Sequence, residues 1–91
     1  MGKLWDQIRR AVEEEFFVVG DHADDRMRER MIELWQVVGE IDDAILVAER
    51  EGDLPNPTVV VEQFLADGTP IRVVWAWLPR RQLAKLVTVH L

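Results

Sequence analysis

The chain has no cysteine and no serine, and only two histidines in 91 residues. Without cysteine there is no disulfide framework, no zinc–thiolate centre and no thiol nucleophile, and a reducing, cytoplasmic setting suits it. With serine missing too, acyl transfer by a serine or cysteine nucleophile is excluded. Long apolar runs are also lacking. Nothing approaches the roughly 20 residues that a membrane-crossing helix needs, so no membrane contact is expected. The opening MGKLWDQIRR is amphipathic and charged by position 6, unlike a secretory leader. There is no glycine-rich phosphate loop. His22 and His90 lack a third ligand at metal-binding spacing. Neither a metal nor a cofactor is expected.

What is present makes one small domain, residues 1–91, with helices at about 3–48 and sheet at about 58–91. Hydrophobic residues make up 48% of the chain, enough for a single core. The net charge of −6 opposes strong nonspecific binding to nucleic acid. That charge is uneven. Residues 1–51 hold 14 acids and 7 bases, whereas residues 52–91 hold 3 acids and 4 bases. A phosphate backbone would therefore meet the C-terminal half. Nine of the bases are Arg and two are Lys; Arg is the better bidentate partner for phosphate or carboxylate.

Periodicity supplies the elements. Leu4, Ile8, Val12 and Phe16 recur at helical spacing, which predicts a helix over 3–17. Gly20 ends it and Asp21 caps the next. Ala23, Met27 and Met31 form an apolar line that continues through Leu34, Val37, Val38, Ile41, Ala44 and Ile45. One long helix, or two with a break near 31–34, satisfies this pattern. ILVAER, residues 45–50, adds a short strand, and EGDLPNP reads as a loop. The period then changes to that of strands: TVVVEQFLA, TPIRVVWAWL and LAKLVTVHL, joined by Asp67-Gly68 and by PRRQ. The expected class is α+β, with two or three N-terminal helices packed on an antiparallel meander of three or four strands.

Register assigns the faces. With Asp67-Gly68 as a two-residue type I′ turn, Val60 faces Trp75 and Glu62 faces Val73. With PRRQ as a four-residue loop, Trp75 faces Leu86 and Ile71 faces His90. One face then holds Val60, Phe64, Ile71, Val73, Trp75, Trp77 and Leu86, with Glu62, Thr88 and His90 among them. The other holds Val59, Val61, Leu65, Val74, Ala76, Val87 and Val89, with Gln63, Arg72 and Lys85. Both are largely apolar. The aliphatic face is expected to seat the helices. The Trp face is then left for a partner, which predicts a homodimer or a required second protein, with Phe64, Trp75 and Trp77 at the interface.

Three short motifs carry a family likeness. His22-Ala23-x-x-Arg26-Met27 opens a helix, with Arg30 following. Gly68-x-Pro70-Ile71-x-Val73-Val74 spans the hairpin. Val87-Thr88-Val89-His90 closes the chain. In these residues the sequence resembles the domain-of-unknown-function family four-two-five-eight, over roughly residues 4–90. That family is similar to the RelE-like group of small toxin ribonucleases, so the resemblance implies a RelE-like fold, RNA as a partner and an antitoxin as another. The family turns on Arg-Gly-Ile, whereas this chain has Arg30-Met31-Ile32.

Metal-independent RNA cleavage needs a base, an acid and a cation at the phosphorane. His titrates near neutrality and suits the first two roles; Arg suits the third. His22, Arg26 and Arg30 lie at i, i+4 and i+8 on one helix face. The expected catalytic set is His22, Arg26, Thr88 and His90, with Arg30, Arg72 and Lys85 binding substrate. The same residues also fit a solvated helix face and an unremarkable strand end. Two functions therefore stand side by side: a RelE-like endoribonuclease, favoured by the histidines and motifs, and a non-catalytic protein-interaction module, favoured by the acidic charge.

Overall fold

The structure, a computed structural model, describes residues 2–91. Its elements run α1 (Lys3–Glu13), β1 (Phe17–Val19), α2 (Asp21–Glu29), α3 (Leu34–Val38), a single 3-10 turn (Ile41–Asp43), β2 (Ile45–Arg50), β3 (Thr58–Phe64), β4 (Pro70–Leu78) and β5 (Leu83–His90). The α+β class stands, with three α-helices. The expected meander of three or four strands does not. One sheet of five strands is ordered β1-β5-β4-β3-β2, and β1 runs parallel to β5. No helix among the described residues is long and apolar enough to cross a membrane.

The added strand comes from the end of the expected first helix. Phe16-Phe17-Val18-Val19 is an aromatic and β-branched run that packs better on a pleated surface than on a helix. Helix α1 therefore stops at Glu13, and Phe17–Val19 pairs with Ala84–Leu86. Both α1 and α2 close with the same device. Phe16 N–H donates to Ala11 O at 2.7 Å, and Glu15 N–H donates to Val12 O at 3.0 Å. Ile32 N–H donates to Met27 O at 2.8 Å, and Met31 N–H donates to Arg28 O at 3.2 Å. These are paired Schellman bonds, which usually rest on a glycine. Here Glu15 and Met31 take the left-handed backbone instead, at φ 65° and 57°. Met31 stands where the resemblance implies a glycine, and the helix ends there without one.

The helices pack on one side of the sheet. α1 buries Leu4, Trp5, Ile8, Ala11 and Val12; α2 buries Ala23 and Met27; α3 buries Val37. They meet Val59, Val61, Ile71, Val73, Trp75, Trp77, Ala84, Leu86 and Val89 in one core. Glu49 on β2 ties α1 down: its Oε2 accepts from Trp5 N–H at 2.8 Å, placing a carboxylate at the positive end of that helix. Gln63 does the same for α3, donating from Nε2 to Val37 O at 2.9 Å.

The Trp face is thus the covered one, which corrects the expected assignment. Trp75 is fully buried and Trp77 is 7% exposed. The cause is one residue in the β3–β4 turn. Leu65 N–H donates to Thr69 O, and Gly68 N–H donates to Leu65 O, both at 2.8 Å. This is a three-residue loop in which only Gly68 has positive φ, at 88°. A type I′ turn would need Asp67 there as well. The extra residue slides β3 by one position, so Val59, not Val60, pairs with Trp75. A one-residue slip moves a whole side-chain set to the other face.

Candidate active site on the open sheet face

The face turned away from the helices is read from the pairing. One row across it is Ile45, Glu62, Arg72 and His90. The next is Ala48, Val60, Val74 and Thr88. The third is Arg50, Thr58, Ala76 and Lys85, with Val18 of β1 beside Lys85. Arg50, Arg72 and Lys85 outnumber the acids on this face, which are Glu62 and, at its margin, Asp53, whose Oδ2 accepts from Thr58 Oγ1 at 2.7 Å. The open face is therefore basic on a chain whose net charge is −6.

A bulge puts the end of β5 here. Trp75 pairs with Leu86, as the four-residue Pro79–Gln82 loop predicts, but Val74 pairs with Thr88. Val87 is the extra residue. A bulge reverses side-chain alternation past it. Without it, His90 would face Ile71 and point into the core. With it, His90 faces Arg72 in the open.

In the first row Arg72 stands between the other two functional groups. Its Nε lies 3.9 Å from Glu62 Oε2, with the Arg72 side chain 51% exposed and that of Glu62 31%. Adjacent strands lie about 4.8 Å apart, so the Cα atoms of Glu62 and His90 are roughly 10 Å apart with Arg72 between them. A carboxylate, a guanidinium and an imidazole thus lie in line across three strands. Thr88 lies lower, 8% exposed, and its Oγ1 has no hydrogen-bond partner among the described residues.

The sequence-predicted residues fall into two groups. Arg72, Lys85, Thr88 and His90 share the open face. Arg72 and Lys85 were expected on the other one; the bulge at Val87 brings Thr88 and His90 to them, and the register of β3 brings Glu62. His22, Arg26 and Arg30 belong to the helical layer. α2 follows β1 directly, since Gly20 N–H donates to Leu86 O at 2.9 Å, and packs along β5. His22 is exposed, Arg26 lies 3.8 Å from Glu29, and Arg30 follows the last turn. No hydrogen bond or ion pair joins the two groups among the described residues. Trp75 and Trp77 lie beneath the helices, and Phe64, half exposed, lies on the open side. Glu62 is the site residue that sequence reasoning set beside Thr88 and His90 without a role. Its signal was an acid inside a run of apolar strand residues. Among the described residues no three His, Cys, Asp or Glu side chains are grouped to hold a metal ion.

A larger cleft, of about 540 Å3, lies between α1 and the far end of β4, over Phe16 and Trp77 and walled by Lys3, Asp6, Arg10 and Glu14. Trp77 is five residues from Arg72, roughly 17 Å along the strand, so this cleft takes no part in the Glu62–Arg72–His90 row.

The family model described as Domain of unknown function (DUF4258) matches residues 19–90, which span α2 through β5 and include every residue of that row. Neither the curated proteins nor the solved structures contain a match to the chain.

Proposed function

The chain belongs to the DUF4258 family, and we propose that it is a RelE-like, metal-independent endoribonuclease of the toxin type, acting in the cytoplasm. The observation that carries this reading is the Glu62–Arg72–His90 row. The Glu62 carboxylate takes the proton from a ribose 2′-OH, and O2′ attacks the adjacent phosphorus. Arg72 holds the phosphoryl oxygens as charge builds on them. The P–O5′ bond breaks, and His90, entering protonated, gives its proton to O5′. The products are a 2′,3′-cyclic phosphate and a 5′-hydroxyl. Lys85 and Arg50 draw in the neighbouring phosphates. His22 and Arg26 flank β5 as an alternative acid–base and clamp pair.

Purified protein incubated with single-stranded oligoribonucleotides in EDTA tests this. Cleavage to cyclic-phosphate ends, lost in Glu62→Gln, Arg72→Ala and His90→Ala, supports it. Cleavage that survives those changes and disappears in His22→Ala and Arg26→Ala moves the chemistry to α2. No cleavage at high protein concentration, and no growth arrest on expression, rejects catalysis.

One observation favours the second reading, a protein-interaction module on the same scaffold. Neither His22 nor His90 has a side-chain hydrogen bond among the described residues, so no third group orients an imidazole. The open face would then hold an acidic antitoxin segment or a second copy. Light scattering with Arg72→Glu and Lys85→Glu separates these: a dimer lost in both variants identifies a homodimer.

A further inference from the structure

A second cleft, of about 180 Å3, opens at the margin of the same face. It is lined by Trp35, Gln36, Glu40, Phe64, Leu65 and Ala66. It exists because β2 begins late. The last β2–β3 pair is Ile45 with Glu62, so β3 has no strand beside it at Phe64, and α3 with the turn after it fills only part of the gap. Two aromatic rings are left in the open there, Trp35 at 63% and Phe64 at 50% exposed. Exposed aromatics are costly for a small domain, and the core uses neither. They are what a flat ligand stacks on.

The polar groups define that ligand. Gln36 Oε1 accepts from Glu33 N–H at 2.9 Å, which commits the oxygen and leaves the Nε2 hydrogens as free donors. Glu33 also accepts from Trp35 Nε1 and so orients the indole. Glu40 makes no ion pair and no side-chain hydrogen bond among the described residues. An ionised carboxylate only accepts. Guanine alone among the RNA bases shows two adjacent N–H donors on one edge, N1–H and N2–H2, with the O6 acceptor next to them. Glu40 supplies the acceptor that such a pair needs, and Gln36 Nε2 supplies a donor for O6. Adenine and cytosine offer such a carboxylate one amine beside an acceptor, and uracil flanks its N3–H with two acceptors.

We propose that this cleft is a nucleobase subsite selective for guanine. Phe64 follows Glu62 on the same face of β3, one side-chain repeat or about 7 Å away, so a guanosine seated here presents its 2′-OH and 3′-phosphate towards the Glu62–Arg72–His90 row. This placement rests on the ribonuclease reading. The subsite makes the enzyme single-strand-specific, with cleavage on the 3′ side of guanosine.

Tryptophan fluorescence tests it independently of cleavage, because Trp5, Trp75 and Trp77 are buried and Trp35 is the exposed one. Guanosine 3′-monophosphate should quench the emission at lower concentration than the adenosine, cytidine or uridine compounds. The quench should vanish in Trp35→Phe, and Glu40→Gln should weaken guanosine binding by roughly tenfold or more. Equal quenching by all four, none by any, or a quench that persists in Trp35→Phe overturns the proposal. Cleavage without guanosine preference also overturns it and leaves the ribonuclease reading intact. Guanosine binding without cleavage upholds the subsite while removing that reading.

Discussion

Arg72 and His90 face each other across β4 and β5 on the side of the sheet that no helix covers. Glu62 completes the row, its carboxylate 3.9 Å from the Arg72 guanidinium. If the row cleaves RNA, His90→Ala should lower the rate by about 10²–10⁴-fold, the usual loss of a general acid. Arg72→Lys should fail to restore activity, because a lysine lacks the planar fork that grips two phosphoryl oxygens. Single-turnover cleavage of a labelled oligoribonucleotide measures both.

The two glycine-free helix endings give a stability prediction. Glu15 and Met31 sit at φ 65° and 57°, and Met31 is 89% exposed, so its side chain contributes little. Left-handed backbone costs an L-residue roughly 1–2 kcal/mol. Met31→Gly and Glu15→Gly should each raise the unfolding free energy by about 0.5–1 kcal/mol after the entropy cost of glycine is subtracted. Gly68→Ala should do the reverse by a similar amount, since Gly68 has φ +88° and no atom near its would-be Cβ. Urea titrations that show no change, or the opposite signs, would refute this account of the turns.

Tryptophan substitutions should separate covered from open surface. Trp75 is fully buried and its ring meets Phe17 edge-on at 6.1 Å between centroids. Trp75→Ala should cost about 3–5 kcal/mol and leave little folded protein. Trp35→Ala should change stability by no more than about 0.5 kcal/mol. Thermal melts decide. A tolerated Trp75→Ala would mean that the helices do not seat on this face.

Asp67 should respond to acid. The Thr69 side chain, and then the Thr69 backbone N–H at 2.9 Å, hydrogen-bond its carboxylate and hold its pKa below the ordinary Asp range. A depressed folded-state value means that the turn's stabilisation is complete above the ordinary Asp pKa. It is lost as pH falls through the lowered value. The Asp67 carboxyl carbon, followed by NMR, should titrate below a free Asp. Thr69→Val should move its midpoint back up.

Helix and strand identity were legible where one periodicity ran unopposed. α1 begins as its i, i+4 line predicts, β2 spans residues 45–50 as read, and the Pro79–Gln82 loop sets Trp75 opposite Leu86. The break near residue 31 was one of two readings that the apolar line allowed. Phe17–Val19 failed because three residues are too few for periodicity, and their partner lies 67 positions away.

The candidate site was legible in its residues and not in its arrangement. Glu62, Thr88 and His90 share a face, as the register from the sequence has it, yet for a different reason. A longer turn shifts β3, and the bulge at Val87 reverses the end of β5; together they keep these three residues together while sending the tryptophans to the other side. Composition and spacing by themselves determined the α+β class, the want of a thiol or serine nucleophile and the basic C-terminal half, because those depend on residue types and local periods. Which face the helices cover, and that Arg72 stands between Glu62 and His90, was decided only in the tertiary structure. Side-chain direction alternates at every residue of a strand. One extra residue in the β3–β4 turn and one unpaired valine in β5 therefore settle what the whole sheet presents.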